Sequence, residues 1–219
     1  MSSDPPSGDP SPDAEPAGEA SGADLAGLVL ERGAVLLDAL ESHWPAARDH
    51  ADATASYAFG AAVELRLDRE HAEAVRETAR MHEVGTIYVP FAVLSARPED
   101  RDAAGQATIE AHPSYGAELA RGAGVPTEAC DWIAATAERF DGRGPSGLAG
   151  ERVPLEARII RVACACDRAL TALQAHGSVA GRATAFATLR AAGGRELDPR
   201  VVWALIELLE RVSGPDRTA

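Results

Sequence analysis

An all-α fold is what this sequence predicts, and three observations predict it. Apolar residues recur at helical spacing from Asp24 onward, alanine is abundant, and no stretch sustains the alternation of a half-buried strand. Residues 1–22, MSSDPPSGDPSPDAEPAGEASG, stand apart. Beyond Met1 they hold Pro, Ser, Gly, acids and nothing aliphatic larger than alanine, too little apolar surface to build a core. They are expected to be a disordered acidic, solubilising tail, with one helical domain over 23–219.

In chain order the pattern predicts helices over 24–41, 47–66, 69–84, 102–121, 127–139, 155–174, 179–192 and 199–212, with Pro113 breaking the fourth. Pro154 is placed just inside the 155–174 helix. Asp198-Pro199 gives an N-cap followed by proline at the first helical position. The leucine-rich 199–212 helix, with Val202, Leu205, Ile206, Leu208 and Leu209, reads as core packing, part of it suited to a homodimer seam.

Composition narrows the function. The 219 residues suit one domain, with hydrophobic content of 46% and charged content of 25%. Net charge is −13, and all 21 basic residues are arginine, so lysine chemistry is excluded. An acidic chain of this kind argues against general nucleic-acid binding. It remains compatible with a small phosphorylated ligand held by a few converging arginines. Three cysteines, Cys130, Cys164 and Cys166, are too few for a disulfide framework. No long apolar run predicts a membrane span, and no signal-peptide core precedes the domain, so the expected location is the cytoplasm.

The stretch ARMHEVGTIYVP at 79–90 carries chemistry. Ala72, Val75, Ala79 and His82 share the apolar face of the 69–84 helix, which points His82 inward at its end, where Gly85 supplies the stop. An inward histidine beside Glu83 suits a metal ligand. The residues alone leave a second reading open, a core histidine bonded to a carbonyl.

RMHEVGTIYVP resembles the HD-[IL]-G-K-[IV]-x-[IV]-P element of the HD phosphohydrolase superfamily, in its HD-GYP branch. LLDALESHWPAARDHADATASYAFGAAVEL resembles the segment with the family's first histidine, here His50. EAHPSYGAELA resembles the third-histidine segment, here His112. ERFDGRGPSGLAGERVPLEARIIRVA is similar to the long signature that names the branch, and RAAGGRELDPRVVWALIELL to its C-terminal helix. The resemblance covers roughly residues 33–212. It implies an HD-GYP-type helical bundle, a metal cluster built from bundle side chains, and hydrolysis of cyclic di-GMP through a metal-generated hydroxide.

This chain departs from that pattern where the ligands belong. Glu83 replaces the family's aspartate. Thr136 and Ala137 stand where paired histidines precede Glu138, and Cys164 stands where an aspartate is expected. Ala46 replaces a glutamate found in part of the family, Thr86 replaces a phosphate-binding lysine, and Gly144 runs straight into Pro145 without the tyrosine. A two-metal centre cannot be assembled from this set. The resemblance leaves a mononuclear site of His50, His82, Glu83 and Cys164, with His112 at its rim and Asp167 as a substitute ligand. Zinc suits such a set, with manganese or iron as harder alternatives. The competing reading makes Cys164 and Cys166 small core residues and leaves the chain without a cofactor.

Two functions follow as expectations. The first is a non-hydrolytic signalling or interaction module, with a signalling protein or cyclic di-GMP as partner. The second is a metal-dependent phosphohydrolase with a reduced mononuclear site. ERFDGRG reads as a structural turn, held by Glu138 and Asp141, and His43, His71 and His176 read as surface residues.

Overall fold

The computed structural model describes residues 22–174 and 178–212. Helices run over Gly22–His43 (α1), Ala47–Glu64 (α2), Arg69–Arg80 (α3), Phe91–Ser95 (α4), Ala103–Gly122 (α5), Thr127–Ala135 (α6), Leu155–Ala172 (α7), Val179–Ala192 (α8) and Pro199–Val212 (α9). Short 3-10 turns cover Val84–Tyr88, Pro98–Asp100 and Gly150–Arg152. Among the described residues no strand occurs, only one isolated bridge between Gly193 and Leu197. The N-terminal tail and His176 lie outside the described residues.

Side-chain caps fix several helix starts. Asp68 accepts from His71 N, Asp102 from Gly105 N and Ser178 from Gly181 N. Asp198 accepts from Arg200 N at 2.8 Å and pairs with Arg158. Pro154 falls at the N-cap of α7, one residue before the helix.

Two expectations need correcting. Pro113 does not break a helix, since α5 continues across it. Its missing N–H leaves the Ile109 carbonyl without its helical donor. The His112 Nδ1 donates to that carbonyl instead, at 2.5 Å. The helix expected over 69–84 ends at Arg80, so His82 lies in the turn beyond it. Gly85 is then no helix stop. It lets the Val84–Tyr88 turn lie against α5, where an added Cβ would stand 1.8 Å from the His112 carbonyl oxygen.

Helix α2 forms the centre, packed against α3, α7 and α9. Its inner face is almost entirely alanine: Ala47, Ala51, Ala55, Ala58, Ala61 and Ala62 are all buried. Small side chains bring the neighbouring backbones close, as at Gly60, which touches Leu208 of α9. Larger apolar residues fill the remaining space, among them Leu40, Met81, Ile133, Ile159, Ile160 and Leu205. Helix α9 buries Val202, Leu205 and Ile206 as predicted, and Val201 with them, while Leu208 and Leu209 are only partly buried and Trp203 is exposed.

Candidate metal and phosphate site

Three separate segments deliver the predicted residues to one place. His50 comes from α2, His82 and Glu83 from the turn after α3, and Cys164 from α7. One ligand atom from each lies within 4.8 Å of the others. The His50 and His82 ring centroids are 5.2 Å apart. His112, on α5, stands at the edge with its Nε2 3.6 Å from Glu83 Oε2.

All three histidines are held in the same way. His50 Nδ1 donates to Asp167 Oδ2 at 2.6 Å, His82 Nδ1 to the Ala79 carbonyl at 2.7 Å, and His112 Nδ1 to the Ile109 carbonyl. Each ring thereby turns its Nε2 toward Glu83, the tautomer and orientation that a metal ligand needs. His50 Nε2 is 3.9 Å from Glu83 Oε1 and 3.6 Å from Cys164 Sγ. His82 Nε2 is 3.3 Å from Glu83 Oε1, yet it is buried and makes no hydrogen bond. His82 thus bonds a carbonyl through Nδ1, as one reading expects, and leaves Nε2 where the other reading needs it. Asp167 Oδ2 bonds His50 Nδ1 and orients that ring.

Charges in the cluster hold one another. Burial opposes ionisation of the Glu83 carboxyl, but Arg168, His112 and His82 overcome this and keep its pKa well below the usual range. Burial likewise opposes a Cys164 thiolate, and Arg168, His82 and the His50 hydrogen bond bring that thiol down to about 5. Burial would lower the His82 pKa, yet Cys164 and Glu83 together drive it up to about 10. Cys166 is the contrast: burial and the nearby Asp167 charge push its thiol up to about 12, and it is a core residue as expected.

The cluster opens into a cavity of about 800 Å³. His82, Glu83, His112 and Cys164 line one end of it, and Thr136 and Ala137 the side where the resemblance places histidines. The Thr136 hydroxyl is spent on the Ile133 carbonyl, and the Thr86 hydroxyl on the Glu83 carbonyl. Arg139, Arg143, Arg161 and Arg168 bring positive charge to the same cavity. Arg168 pairs directly with Glu83. The sequence reading missed Arg168, although its signal was there: it follows Cys164 by four residues on α7 and so shares that face.

Glu138 and Asp141 hold the loop after α6, as predicted. Glu138 accepts from Ser146 N, and Asp141 takes the Arg139 guanidinium through two hydrogen bonds. His43 and His71 are only half-buried rather than free on the surface. His43 Nε2 donates to the Val89 carbonyl, while His71 bonds Glu156 and stacks on Trp132.

Comparison with known proteins places this geometry. The curated relatives include the cyclic di-GMP phosphodiesterase response regulator RpfG of Xanthomonas campestris pv. campestris (strain 8004). It is 35% identical over 164 residues, 72% of this chain and 43% of the relative. The 3'3'-cGAMP-specific phosphodiesterase 2 of Vibrio cholerae is 29% identical over 175 residues, 78% of this chain and 33% of the relative. The chain thus spans less than half the length of these relatives. Among solved structures, an HDG"Y"P protein of Bdellovibrio bacteriovorus superposes with a TM-score of 0.62 at 19% identity, over 75% of this chain and 52% of the other. The PgpH HD domain of L. monocytogenes, in complex with cyclic-di-AMP, gives 0.60 at 15% identity, over 84% of this chain and 100% of the other. No described helix is long and apolar enough to cross a membrane. The model of the HD domain matches residues 34–201, and the chain belongs to that family.

Proposed function

We propose that this chain is a single-metal HD domain that binds a phosphodiester of the cyclic dinucleotide class and does not hydrolyse it by a two-metal route. The carrying observation is the buried His82 Nε2, which has no hydrogen-bond partner and faces Glu83, Cys164 and His50. With Nδ1 already donating to Ala79, Nε2 is the ring position placed to exchange its proton for a metal ion beside Glu83 and Cys164. Two imidazoles, a carboxylate and a thiolate suit zinc first, with manganese or iron as alternatives. Such an ion, when bound, would polarise a phosphoryl oxygen.

The protein's own groups do the rest. His50 and His82 present Nε2 at fixed angles, Glu83 and Cys164 supply negative charge, and His112 flanks Glu83 on the cavity side. The arginines along the cavity favour an anionic ligand. Thr136 and Ala137 offer no free donor for a second ion. That supports a signalling module, whose ligand state a partner protein would read. The cyclic dinucleotides named for the relatives set the ligand class.

Metal analysis of protein purified without chelator, together with cyclic di-GMP binding and turnover, tests this. About one equivalent of metal is expected in the unmodified protein and none in His82→Ala. Cyclic di-GMP should bind, with no turnover above the His82→Ala background. Absence of metal or of binding defeats the proposal. Robust turnover abolished by His82→Ala would favour a mononuclear phosphohydrolase instead, a reading supported by the cavity opening directly onto the donor set.

A further inference from the structure

Four arginines line the cavity, but they are not equivalent. Arg139 is consumed by Asp141 and Glu196. Arg161 donates to the carbonyls of Thr136 and Glu196, bracing α7 against the segments after α6 and α8. Arg143 is exposed on the loop. Arg168 differs from all three. Its guanidinium reaches into the donor cluster and meets Glu83 through Nη2, while more than half of its side chain is solvent-exposed. A guanidinium has five N–H donors in a planar fork, and a single carboxylate oxygen uses few of them.

We propose that Arg168 is the phosphate-gripping residue of this site, a built-in cation standing in for the charge of a second metal and of the missing lysine. The inference deepens the single-metal reading and rests on it. Glu83 joins the two positive centres, since its Oε1 faces both His82 and Arg168. A cation among His50, His82, Glu83 and Cys164 and the Arg168 fork would flank one carboxylate, close enough to share one phosphodiester. One non-bridging oxygen would face the metal position and the other the guanidinium, where the charge-assisted fork matches the oxyanion. Thr86 cannot take this role, because it is buried and its hydroxyl is committed to the Glu83 carbonyl. Helix α7 thereby supplies both a soft ligand, Cys164, and the anion grip one turn later. Glu83 holds the guanidinium in place, so the grip is set by the fold itself.

The test compares unmodified protein with Arg168→Gln, Arg168→Lys and, as a charge control, Arg97→Gln. Arg97 pairs with Glu99 and Asp100 and does not line the cavity. Two probes are titrated by calorimetry, inorganic phosphate and cyclic di-GMP, and metal content is measured on every sample. Arg168→Gln should retain its metal and bind both probes ~10–100-fold more weakly. Arg168→Lys should recover part of the phosphate affinity but less of the cyclic di-GMP affinity, because a point charge lacks the fork. Arg97→Gln should match the unmodified protein. Probe affinity unchanged in Arg168→Gln overturns the inference, as does a loss that merely tracks lost metal. If phosphate binding depends on Arg168 while cyclic di-GMP does not bind even to unmodified protein, the grip stands and the cyclic dinucleotide reading falls.

Discussion

The donor cluster and the loop over residues 138–153 both place acids beside arginines, yet only the cluster adds histidines and a cysteine. In the loop, Asp141 takes two bonds from Arg139 and one from Arg143 N, and Glu138 closes onto Ser146 N. Gly144 lies so close that an added Cβ would stand 2.4 Å from Glu138 Oε2. These acids and arginines bond mainly one another, although the buried Glu138 Oε2 makes no hydrogen bond. In the cluster, each histidine spends one nitrogen on the fold and keeps the other for the interior. His71 and His43 show the converse, with Nε2 given to Glu156 and to Val89. Among these five histidines, His50, His82 and His112 are set apart by an Nε2 turned toward the Glu83 carboxylate.

The largest expected effect on this contrast comes from Gly85→Ala. The new methyl would meet the His112 carbonyl and the Gly116 amide, both backbone atoms that cannot swing aside. A loss of about 3 kcal/mol in urea unfolding is expected, with the turn carrying His82 and Glu83 displaced and metal content falling. An unchanged unfolding midpoint would show that the turn does not need its close approach to α5.

Next is Asp167→Ala, which removes the carboxylate that holds His50 Nδ1. Metal affinity should fall ~10–100-fold, as for loss of other outer-shell partners, with His50 itself still in place. A chelator competition titration measures this. Equal affinity in the two proteins would mean that packing alone orients the ring.

How much of this was legible beforehand follows from the range of each interaction. Helix positions and the Asp198 cap are local, and they could be read from spacing and cap chemistry. Convergence of His50, His82, Glu83 and Cys164 is not local, and only the family resemblance brought those positions together. Pro113 was misread because proline usually ends a helix. Here the freed Ile109 carbonyl has a side-chain donor one residue before the proline. Gly85 was misread for a similar reason, since a glycine after a helix looks like a stop. Its actual constraint comes from α5, which sequence order does not reveal. Arg168 escaped attention because its partner Glu83 lies 85 positions away.

The smallest effect belongs to Asp141→Ala. It should lower the melting temperature slightly and leave metal content and chelator competition unchanged. Loss of metal in this variant would erase the distinction between loop and cluster.

The anchoring of the three rings also decides when their rotamer freedom is lost. His50 is fixed from α7, His82 from the last turn of α3, and His112 from the Ile109 carbonyl that Pro113 leaves free. Immobilising a side chain costs roughly 0.5–1.5 kcal/mol, and in a floppy site that penalty accompanies ligand capture. Here it is incurred during folding, so a cation arriving as proposed would meet rings that have already stopped rotating. The conformational entropy that opposes binding is correspondingly small, and each bound ligand returns more of its affinity as resistance to unfolding.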